Sequence, residues 1–214
     1  MGSMRHMGYS FSDAIADVMD NSVSASCTTI RLIFPSNAED IYVGILDDGH
    51  GMSKQELLRA MCYGSQANEK ERSENDLGRF GLGMKSASLS QCRKMTVISK
   101  KDGEVSAYRW DYDEIKSQGQ RGDWAVLELN NSEIREQYCF DELEALEHGT
   151  LVLWEELDVL YKSSGGRIFE ALTKNRNYLA DHLPLIYHRF ISEDGLKIFI
   201  NYLESLLSTK NVDG

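Results

Sequence analysis

The sequence predicts an α+β fold, a layered sheet with helices on one of its faces. Three observations support this prediction. The 214 residues are 42% hydrophobic and 27% charged, which is ordinary for a globular protein with a substantial core. Roughly five to seven strand-like segments occur, mostly in hairpin order. Segments of helical periodicity lie between them.

Helix and strand patterns alternate in the first half of the chain. Ser10 with Asp13, and Ser53 with Glu56, have the form of capping boxes that begin helices. Apolar residues at helical spacing follow the first box. The elements predicted here are a helix after Ser10, strands over 28–34 and 41–46, a helix from Ser53 to about Met61, and a helix over 84–91.

The second half is predicted to be richer in strands. Lys101-Asp102-Gly103 separates two strand-like segments and predicts a hairpin turn. The elements predicted here are strands over 94–100, 105–110, 124–129 and 150–154, an acidic helix over about 132–147, and a helix over 166–190 with an amphipathic tail after Gly195. The chain has only two prolines, so no proline-rich linker divides it.

Charge and cysteine usage narrow the classes of function. A formal net charge of −11 argues against nucleic-acid binding through bulk electrostatics, because phosphate contacts need clustered Lys and Arg side chains. The four cysteines are scattered, without a Cys-x-x-Cys pair, which disfavours a zinc site or a disulfide framework and predicts a cytoplasmic protein. No apolar run of about 18 residues and no signal-peptide pattern occur, so we expect no membrane span.

The first candidate functional motif lies on the first predicted helix. Asp17 and Asn21 are one helical turn apart, so both side chains can point into one cleft. An asparagine oxygen is a suitable ligand for Mg²⁺, and a carboxylate one turn away can orient a water for attack on a phosphoryl group. A polar stripe of this kind is more often the solvated face of an amphipathic helix, so the motif alone leaves both interpretations open.

The second motif, Asp47-Asp48-Gly49-His50-Gly51-Met52, directly follows an apolar strand. Its two glycines allow the backbone to approach a flat ligand closely or to adopt a positive φ angle. Asp47, at the strand end, can accept a hydrogen bond from an exocyclic amine such as that of adenine. An ordinary surface turn built on Asp and Gly is an equally good interpretation of this motif alone.

A third motif, Gly78-Arg79-Phe80-Gly81-Leu82-Gly83-Met84-Lys85, lies between a polar segment and a predicted helix. Amide donors at the start of a helix can hold phosphates, and Lys85 adds a positive charge there. The preceding residues 63–77 are polar and aperiodic, which predicts a functional lid rather than a plain connection. The motif lacks the Gly-Lys-Ser/Thr ending of a P-loop, and no strand directly precedes it as in a dinucleotide-binding fold.

Together these motifs resemble boxes of the GHKL ATPase superfamily, which contains gyrase B subunits, the heat-shock ninety chaperones, histidine kinases and MutL. The fourth box is His148-Gly149-Thr150, which leads into a predicted strand. The resemblance covers about residues 8–160, and the third and fourth boxes look most like those of MORC ATPases and their bacterial relatives. It implies a Bergerat fold, a two-layer sandwich with a mixed, largely antiparallel sheet covered by helices on one face, and ATP under a mobile lid over about 62–83.

The resemblance also implies roles for individual residues. Asp17 takes the position of the catalytic base, Asn21 that of the Mg²⁺ ligand, and Asp47 that of the residue that reads adenine. The other positions implied to bind ATP are Gly49, Gly51 and Met52 around the base, Gly78, Gly81, Leu82, Gly83, Lys85 and Ser86 around the phosphates, and Thr150 behind the adenine. The base position usually holds glutamate, so the shorter Asp17 implies slow hydrolysis.

The function expected from this resemblance is Mg²⁺-dependent ATP binding and slow hydrolysis, with lid closure gating the dimerisation of a larger machine. A nucleotide-gated binding module without significant turnover is the alternative. A histidine-kinase catalytic domain is disfavoured, because no helix pair with a phospho-acceptor histidine precedes the first box. Residues 1–7 are expected to be an arm, 8–165 the ATP-binding domain, and 166–214 a helical extension toward a transducer domain. A DNA or protein client would bind through regions outside this chain.

Overall fold

An eight-stranded sheet forms the centre of the protein in the computed structural model, which describes residues 8–62, 83–117, 126–202 and 210–211. The strands are β1 (Thr29–Phe34), β2 (Tyr42–Asp47), β3 (Lys94–Lys101), β4 (Glu104–Asp111), β5 (Leu127–Glu128), β6 (Gly149–Glu155), β7 (Lys197–Tyr202) and β8 (Lys210–Asn211). Their order in the sheet is β5-β4-β3-β6-β2-β1-β7-β8. Among these strands every pairing is antiparallel except that of β1 with β7, so the predicted mixed, largely antiparallel sheet is confirmed.

Eight helices accompany the sheet in the described segments. They are α1 (Phe11–Ser24), α2 (Lys54–Met61), α3 (Gly83–Gln91), α4 (Tyr112–Ser117), α5 (Asn131–Arg135), α6 (Phe140–Glu144), α7 (Asp158–Ser163) and α8 (Ile168–Glu193). Two predicted caps are present: Ser10 accepts from the amide of Asp13, and Ser53 exchanges both bonds of a capping box with Glu56. None of the described helices combines the length and the apolar character that crossing a membrane requires.

Side chains alternate between the two faces of the sheet and divide the core into two clusters. On one face, strand residues such as Ile45 pack with apolar residues of α1, α2, α3 and α8, including Leu179. This is the helical layer that the sequence predicted. On the opposite face, strand residues such as Leu46 pack with Phe140 and its neighbours from α5 and α6. The structure thus adds a second, smaller helical cover that the sequence did not predict.

The acidic segment predicted as one helix over 132–147 instead forms the two short helices α5 and α6. Between them, Cys139 has a φ angle of 60°, in the left-handed region, through which a right-handed helix cannot continue. The Cys139 side chain is buried beside β2, where a Cβ built at Gly44 would lie 3.2 Å from its Sγ. Phe140 follows the break and is buried in the smaller cluster, so packing onto the sheet replaces the continuous helix.

The C-terminal part differs from the predicted helical extension over 166–214. Helix α8 is present, and its Leu179 and Leu183 lie in the main core. After Gly195, however, β7 is a strand, so the helical prediction is wrong for residues 197–202. Strand β7 pairs in parallel with β1 within the sheet, and this part of the chain is therefore built into the same core as the predicted ATP-binding domain.

Candidate functional site

A cavity of about 240 Å³ opens between helix α1 and the adjoining ends of β2 and β6. Its wall contains five of the residues predicted to bind nucleotide, namely Asn21, Asp47, Gly51, Met52 and Thr150. The other lining residues are Val18, Ser22, Ser24, Ala25, His50, Met84 and Val152. This lining combines apolar side chains with a few convergent polar groups, which is the composition typical of a small-molecule site.

Asp47 is a buried polar residue of the cavity wall. Asp47 is 5% exposed, and its carboxylate accepts hydrogen bonds from Ser22 Oγ at 2.7 Å and from the Gly49 amide at 2.9 Å. Burial raises the pKa of Asp47, and the bonds from Ser22, Gly49 and the Thr150 backbone oppose this rise. A carboxylate offers about four acceptor positions, so Asp47 retains the capacity to accept from an amine of a ligand.

Ser99 of β3 ties the second motif to the fourth. Its Oγ accepts from the Met52 amide at 2.8 Å, donates to the Gly149 carbonyl at 3.1 Å, and lies 2.9 Å from Thr150 Oγ1. Neither Ser99 nor Ser22 has a sequence motif that predicts it as a site residue. An isolated serine carries no local signal of such a role, because its partners lie on other strands and helices.

Two glycines of the motifs are required by close backbone contacts. Gly51 has a φ angle of 65°, and a Cβ at this position would lie 2.1 Å from the carbonyl oxygen of Lys100. Gly149 has a φ angle of 154°, and a Cβ there would lie 2.2 Å from the carbonyl oxygen of Asp47. Glycine alone allows both the backbone conformation and the close approach, so these residues bring the turn after β2 against β3 and β6.

Two histidines hold the turn that follows β2. His148 Nδ1 lies 2.6 Å from the Gly49 carbonyl oxygen, and His50 Nδ1 lies 2.7 Å from that of Gly51. Because a carbonyl oxygen only accepts, both rings donate from Nδ1. His148 belongs to the fourth motif and Gly49 to the second, so this bond is a further link between the two motifs around the cavity.

Asp48 has a structural role next to Asp47. Its carboxylate accepts from the Thr28 amide at 2.7 Å, the Thr28 hydroxyl at 2.7 Å and the Thr29 amide at 2.8 Å. Although burial acts to raise it, the pKa of Asp48 is lowered by these hydrogen bonds. Asp48 is not among the residues that line the cavity, and its bonds fix the start of β1.

Helix α1 carries Asp17 and Asn21 one turn apart. Asn21 Nδ2 donates to the carbonyl oxygen of Asp17 at 2.8 Å, which leaves the side-chain oxygen as the atom to bind a cation. The phenol of Tyr9 hydrogen-bonds the Asp17 carboxylate, and this bond raises the pKa of Tyr9. Asp17 is half-buried and does not line the cavity, whereas Asn21 does.

Asp20 of the same helix is bonded to α8. Tyr187 Oη lies 2.8 Å from Asp20 Oδ1 and 3.0 Å from the carbonyl oxygen of Ala16. Burial raises the pKa of Asp20, and the bond from Tyr187 opposes this rise. The Tyr187 side chain lies in the main core, so this contact connects the C-terminal helix to the helix that carries the first motif.

Part of the third motif lies outside the described residues. These positions are Gly78, Gly81 and Leu82, within the predicted lid over about 62–83, of which only the two end residues are described. Gly83 is the first residue of α3, so the helix predicted after this motif is confirmed. The phosphate contacts of the motif remain predictions.

Two predicted phosphate-binding residues of α3 are buried away from the cavity wall. Lys85 Nζ donates to the Cys62 carbonyl oxygen, and burial lowers the pKa of Lys85. Ser86 is also buried, while Met84 of the same helix lines the cavity. The ammonium group of Lys85 has three donors, one of which bonds Cys62.

The described residues contain no cluster of three or more His, Cys, Asp or Glu side chains that could hold a metal ion. Mg²⁺ commonly takes one or two protein oxygens together with phosphate oxygens and waters, and needs no such cluster. The side-chain oxygen of Asn21, at the cavity wall, fits this pattern.

The sheet, its main helical layer and the cavity beside α1 are those of a GHKL-type ATPase domain. Residues 9–150, well over half of the chain, match the family model described as "Histidine kinase-, DNA gyrase B-, and HSP90-like ATPase". The chain therefore belongs to this family, and the resemblance drawn from the four boxes is confirmed.

Comparison with curated proteins identifies several relatives. ATPase morc-1 of Caenorhabditis elegans is 31% identical over 94 residues, which cover 44% of this chain and 11% of that protein. The DNA mismatch repair protein MutL of Colwellia psychrerythraea is 31% identical over 99 residues, which cover 44% of this chain and 15% of MutL. The chaperone protein HtpG of Halalkalibacterium halodurans is 31% identical over 121 residues, which cover 50% of this chain and 19% of HtpG. The matches thus span less than a fifth of the length of each of these relatives.

Proposed function

We propose that this chain binds ATP together with Mg²⁺ and hydrolyses it slowly to ADP and phosphate. The observation that carries the proposal is the buried Asp47 carboxylate in a cavity whose wall also contains Asn21. An acceptor among apolar side chains suits a flat base with an exocyclic amine. The cavity, about 240 Å³, is smaller than most sites that enclose a whole ligand, which favours base binding inside it and phosphates outside.

The residues of the chain take different parts in this proposal. Asp47 accepts from the exocyclic amine of adenine, while Met52 and Thr150 border the base. Asn21 presents its side-chain oxygen to the cation, and Asp17, one turn earlier, orients a water and takes up its proton. Bound ATP supplies the phosphoryl group, and Mg²⁺ neutralises charge on its phosphates.

The third motif completes the proposed site at the phosphates. Gly78, Gly81, Leu82, Gly83 and the start of α3 would offer amide donors there. Lys85, whose ammonium group bonds the Cys62 carbonyl oxygen with one of its three donors, would donate to a phosphate with another. Closure of the lid on ATP, gating the formation of a homodimer, is part of the proposal.

For the client and the cellular location, we propose only a general class. One relative is named for DNA mismatch repair and another is named a chaperone, so a DNA client and a protein client are both represented. With a net charge of −11, this chain is a poor surface for DNA, and we propose that a client binds outside it. The scattered cysteines remain the basis for proposing a cytoplasmic location.

A nucleotide-gated binding module is the second candidate. It is favoured by Asp17, whose carboxylate is one methylene shorter than the usual glutamate. Tyr9 also occupies part of the hydrogen-bonding capacity of this carboxylate. Misplacing a reacting group by about 1 Å can lower a rate on the order of 100-fold, so ATP binding without significant turnover is a coherent alternative.

Calorimetric titration with ATP, with and without Mg²⁺, combined with an assay of phosphate release, tests the proposal. Mg²⁺-dependent binding, with release that Asp17→Asn abolishes at unchanged affinity, supports the ATPase. Binding without release from the wild-type chain supports the binding module. Failure to bind ATP under both conditions would contradict both candidates.

A further inference from the structure

The hydroxyl of Tyr187 contacts α1 at two points around the turn that joins Asp17 to Asn21. Tyr187 Oη lies 3.0 Å from the carbonyl oxygen of Ala16 and 2.8 Å from Asp20 Oδ1. Ala16 directly precedes the proposed base, and Asp20 directly precedes the proposed Mg²⁺ ligand. The single proton of this phenol is therefore shared between a backbone carbonyl oxygen at one end of the turn and a side-chain carboxylate at the other.

We propose that Tyr187 is a positioning residue for the Mg²⁺ and phosphate end of the ATP site. The inference rests on the proposed function, since that function makes Asp17 the base and Asn21 the Mg²⁺ ligand. Tyr187 is not among the residues that line the cavity, so it acts through α1 and not by touching the nucleotide base.

The phenol is well placed to hold α1 because its own position is fixed. Tyr187 is 1% exposed, lies in the main core, and contacts Phe190 with the two ring centroids 6.1 Å apart. A ring packed in this way cannot follow a movement of α1 without disturbing the core. The two contacts of its hydroxyl therefore define the rotation of α1 about its axis.

The hydrogen bond from Tyr187 Oη to Asp20 Oδ1 also controls the direction of the Asp20 carboxylate. Asp17 and Asp20 are three residues apart on the helix, where like charges are neighbours and repel each other. Donation from Tyr187 holds Asp20 toward α8. Without this bond, the Asp20 carboxylate could turn toward the cation, compete with Asn21, and disturb the water that Asp17 orients.

The adenine end of the site is held by other bonds. Asp47 is fixed by Ser22 and Gly49, and Ser99 joins the Met52 amide to the fourth motif. None of these bonds involves Tyr187. Loss of the Tyr187 hydroxyl should therefore leave recognition of the base intact and weaken the Mg²⁺-dependent part of ATP binding.

The variant Tyr187→Phe removes the hydroxyl and keeps the ring in the core. We expect its affinity for ATP without Mg²⁺ to stay within about twofold of wild type. The gain in affinity on adding Mg²⁺, and kcat where turnover is measurable, should each fall about 5- to 10-fold, the usual effect of losing one hydrogen bond.

The matched control is Tyr138→Phe. Tyr138 Oη donates to Asp40 Oδ1 at 2.9 Å, and this tyrosine packs against the opposite face of the sheet. A purely structural role would lower the melting temperature of Tyr187→Phe but leave its Mg²⁺ gain and kcat like those of Tyr138→Phe. That result would overturn the inference.

Further outcomes separate this inference from the proposed function. If Tyr187→Phe does not fold, Asp20→Ala removes the same bond from the α1 side. Because it also removes the carboxylate that could compete for the cation, it tests only the hold on α1, and it must still lower the gain in affinity on adding Mg²⁺ while metal-free binding stays unchanged, which is the same kind of split in smaller measure. Absence of the split in Asp20→Ala then overturns the inference. A wild-type chain that binds ATP, with no split in the variants, leaves the proposed function standing and refutes only the role of Tyr187. A wild-type chain that binds no ATP refutes both.

Discussion

Replacement of Asp47 by asparagine should separate ligand binding from stability. In the wild-type chain, Asp47 Oδ2 accepts from Ser22 Oγ and Oδ1 accepts from the Gly49 amide. In Asp47→Asn, Oδ1 can still accept from Gly49, and the new amide nitrogen can donate to Ser22 Oγ, because a hydroxyl also accepts. Ser22 and Gly49 thus stay paired, and we expect a loss of stability of about 1 kcal/mol, which comes from weakening the third bond to this side chain, that from the Thr150 backbone.

The effect of Asp47→Asn on ATP should be much larger. The variant loses the negative charge that would accept from the adenine amine, and it presents a donor in place of an acceptor. A hydrogen bond to a charged group contributes roughly 1.5–3 kcal/mol, so the dissociation constant should rise about 10- to 100-fold.

Calorimetric titration with ATP and urea unfolding measure these two effects on the same samples. Asp48→Asn is the matched control, because the Asp48 carboxylate is bonded to Thr28 and Thr29 and does not line the cavity. We expect Asp48→Asn to bind ATP as the wild type does. Wild-type affinity in Asp47→Asn, or an equal loss of affinity in both variants, would refute the assignment of Asp47 to the base.

Three further substitutions test other parts of the structure. In Gly51→Ala the new Cβ would lie 2.1 Å from a carbonyl oxygen of β3, so the free energy of unfolding in urea should fall by roughly 2–4 kcal/mol. The control is Gly103→Ala, where φ is also positive, at 80°, but the new Cβ meets no atom within 4 Å. There the fall should be about 1 kcal/mol. Hydrogen bonds, led by that from Lys101, lower the pKa of Glu56 from 4.5 to about 2. The carboxylate therefore stabilises the fold above about pH 4.5, and Glu56→Gln should cost about 0.5–1 kcal/mol at pH 7 and almost nothing near pH 2. Asp17→Glu should raise kcat for phosphate release on the order of 10-fold.

Each of these predictions has a result that contradicts it. Equal losses in the two glycine variants would mean that the contact with β3 does not constrain the turn. The loss of stability in Glu56→Gln must depend on pH and must exceed that in Glu136→Gln, at an exposed position after α5. A loss that is constant with pH, or equal in the two variants, would contradict the role assigned to the hydrogen bonds of Glu56. Unchanged turnover in Asp17→Glu would show that the reach of the carboxylate does not limit the rate.

Elements whose signals are local were predicted well from the sequence. The caps at Ser10 and Ser53 depend on residues within one turn, and both were recognised by that spacing. The hairpin turn at Asp102 and Gly103 has φ angles of 53° and 80°, the left-handed conformation that Asp-Gly favours. In such cases the chemistry that forms the element lies within a few consecutive residues.

Features that depend on distant partners were missed. Strand β7 forms because its residues pair with β1, and an amphipathic segment alone does not distinguish a strand from a helix. Ser99 bonds the Met52 amide and Tyr187 contacts α1, in both cases through residues far away in sequence, so neither has a recognisable motif. The break at Cys139 likewise follows from packing onto the sheet, which the acidic helical pattern did not indicate.

The position of β7 has a consequence for the solubility of shortened chains. The family match ends at residue 150, whereas β1 lies between β2 and β7. A chain cut before α8 would leave β1 as an edge strand, with unpaired backbone groups along Thr29–Phe34 and apolar side chains on both faces. Such an edge is a template for pairing with other chains, and shortened proteins of this kind tend to aggregate. The segment beyond the family match therefore protects the sheet from intermolecular pairing.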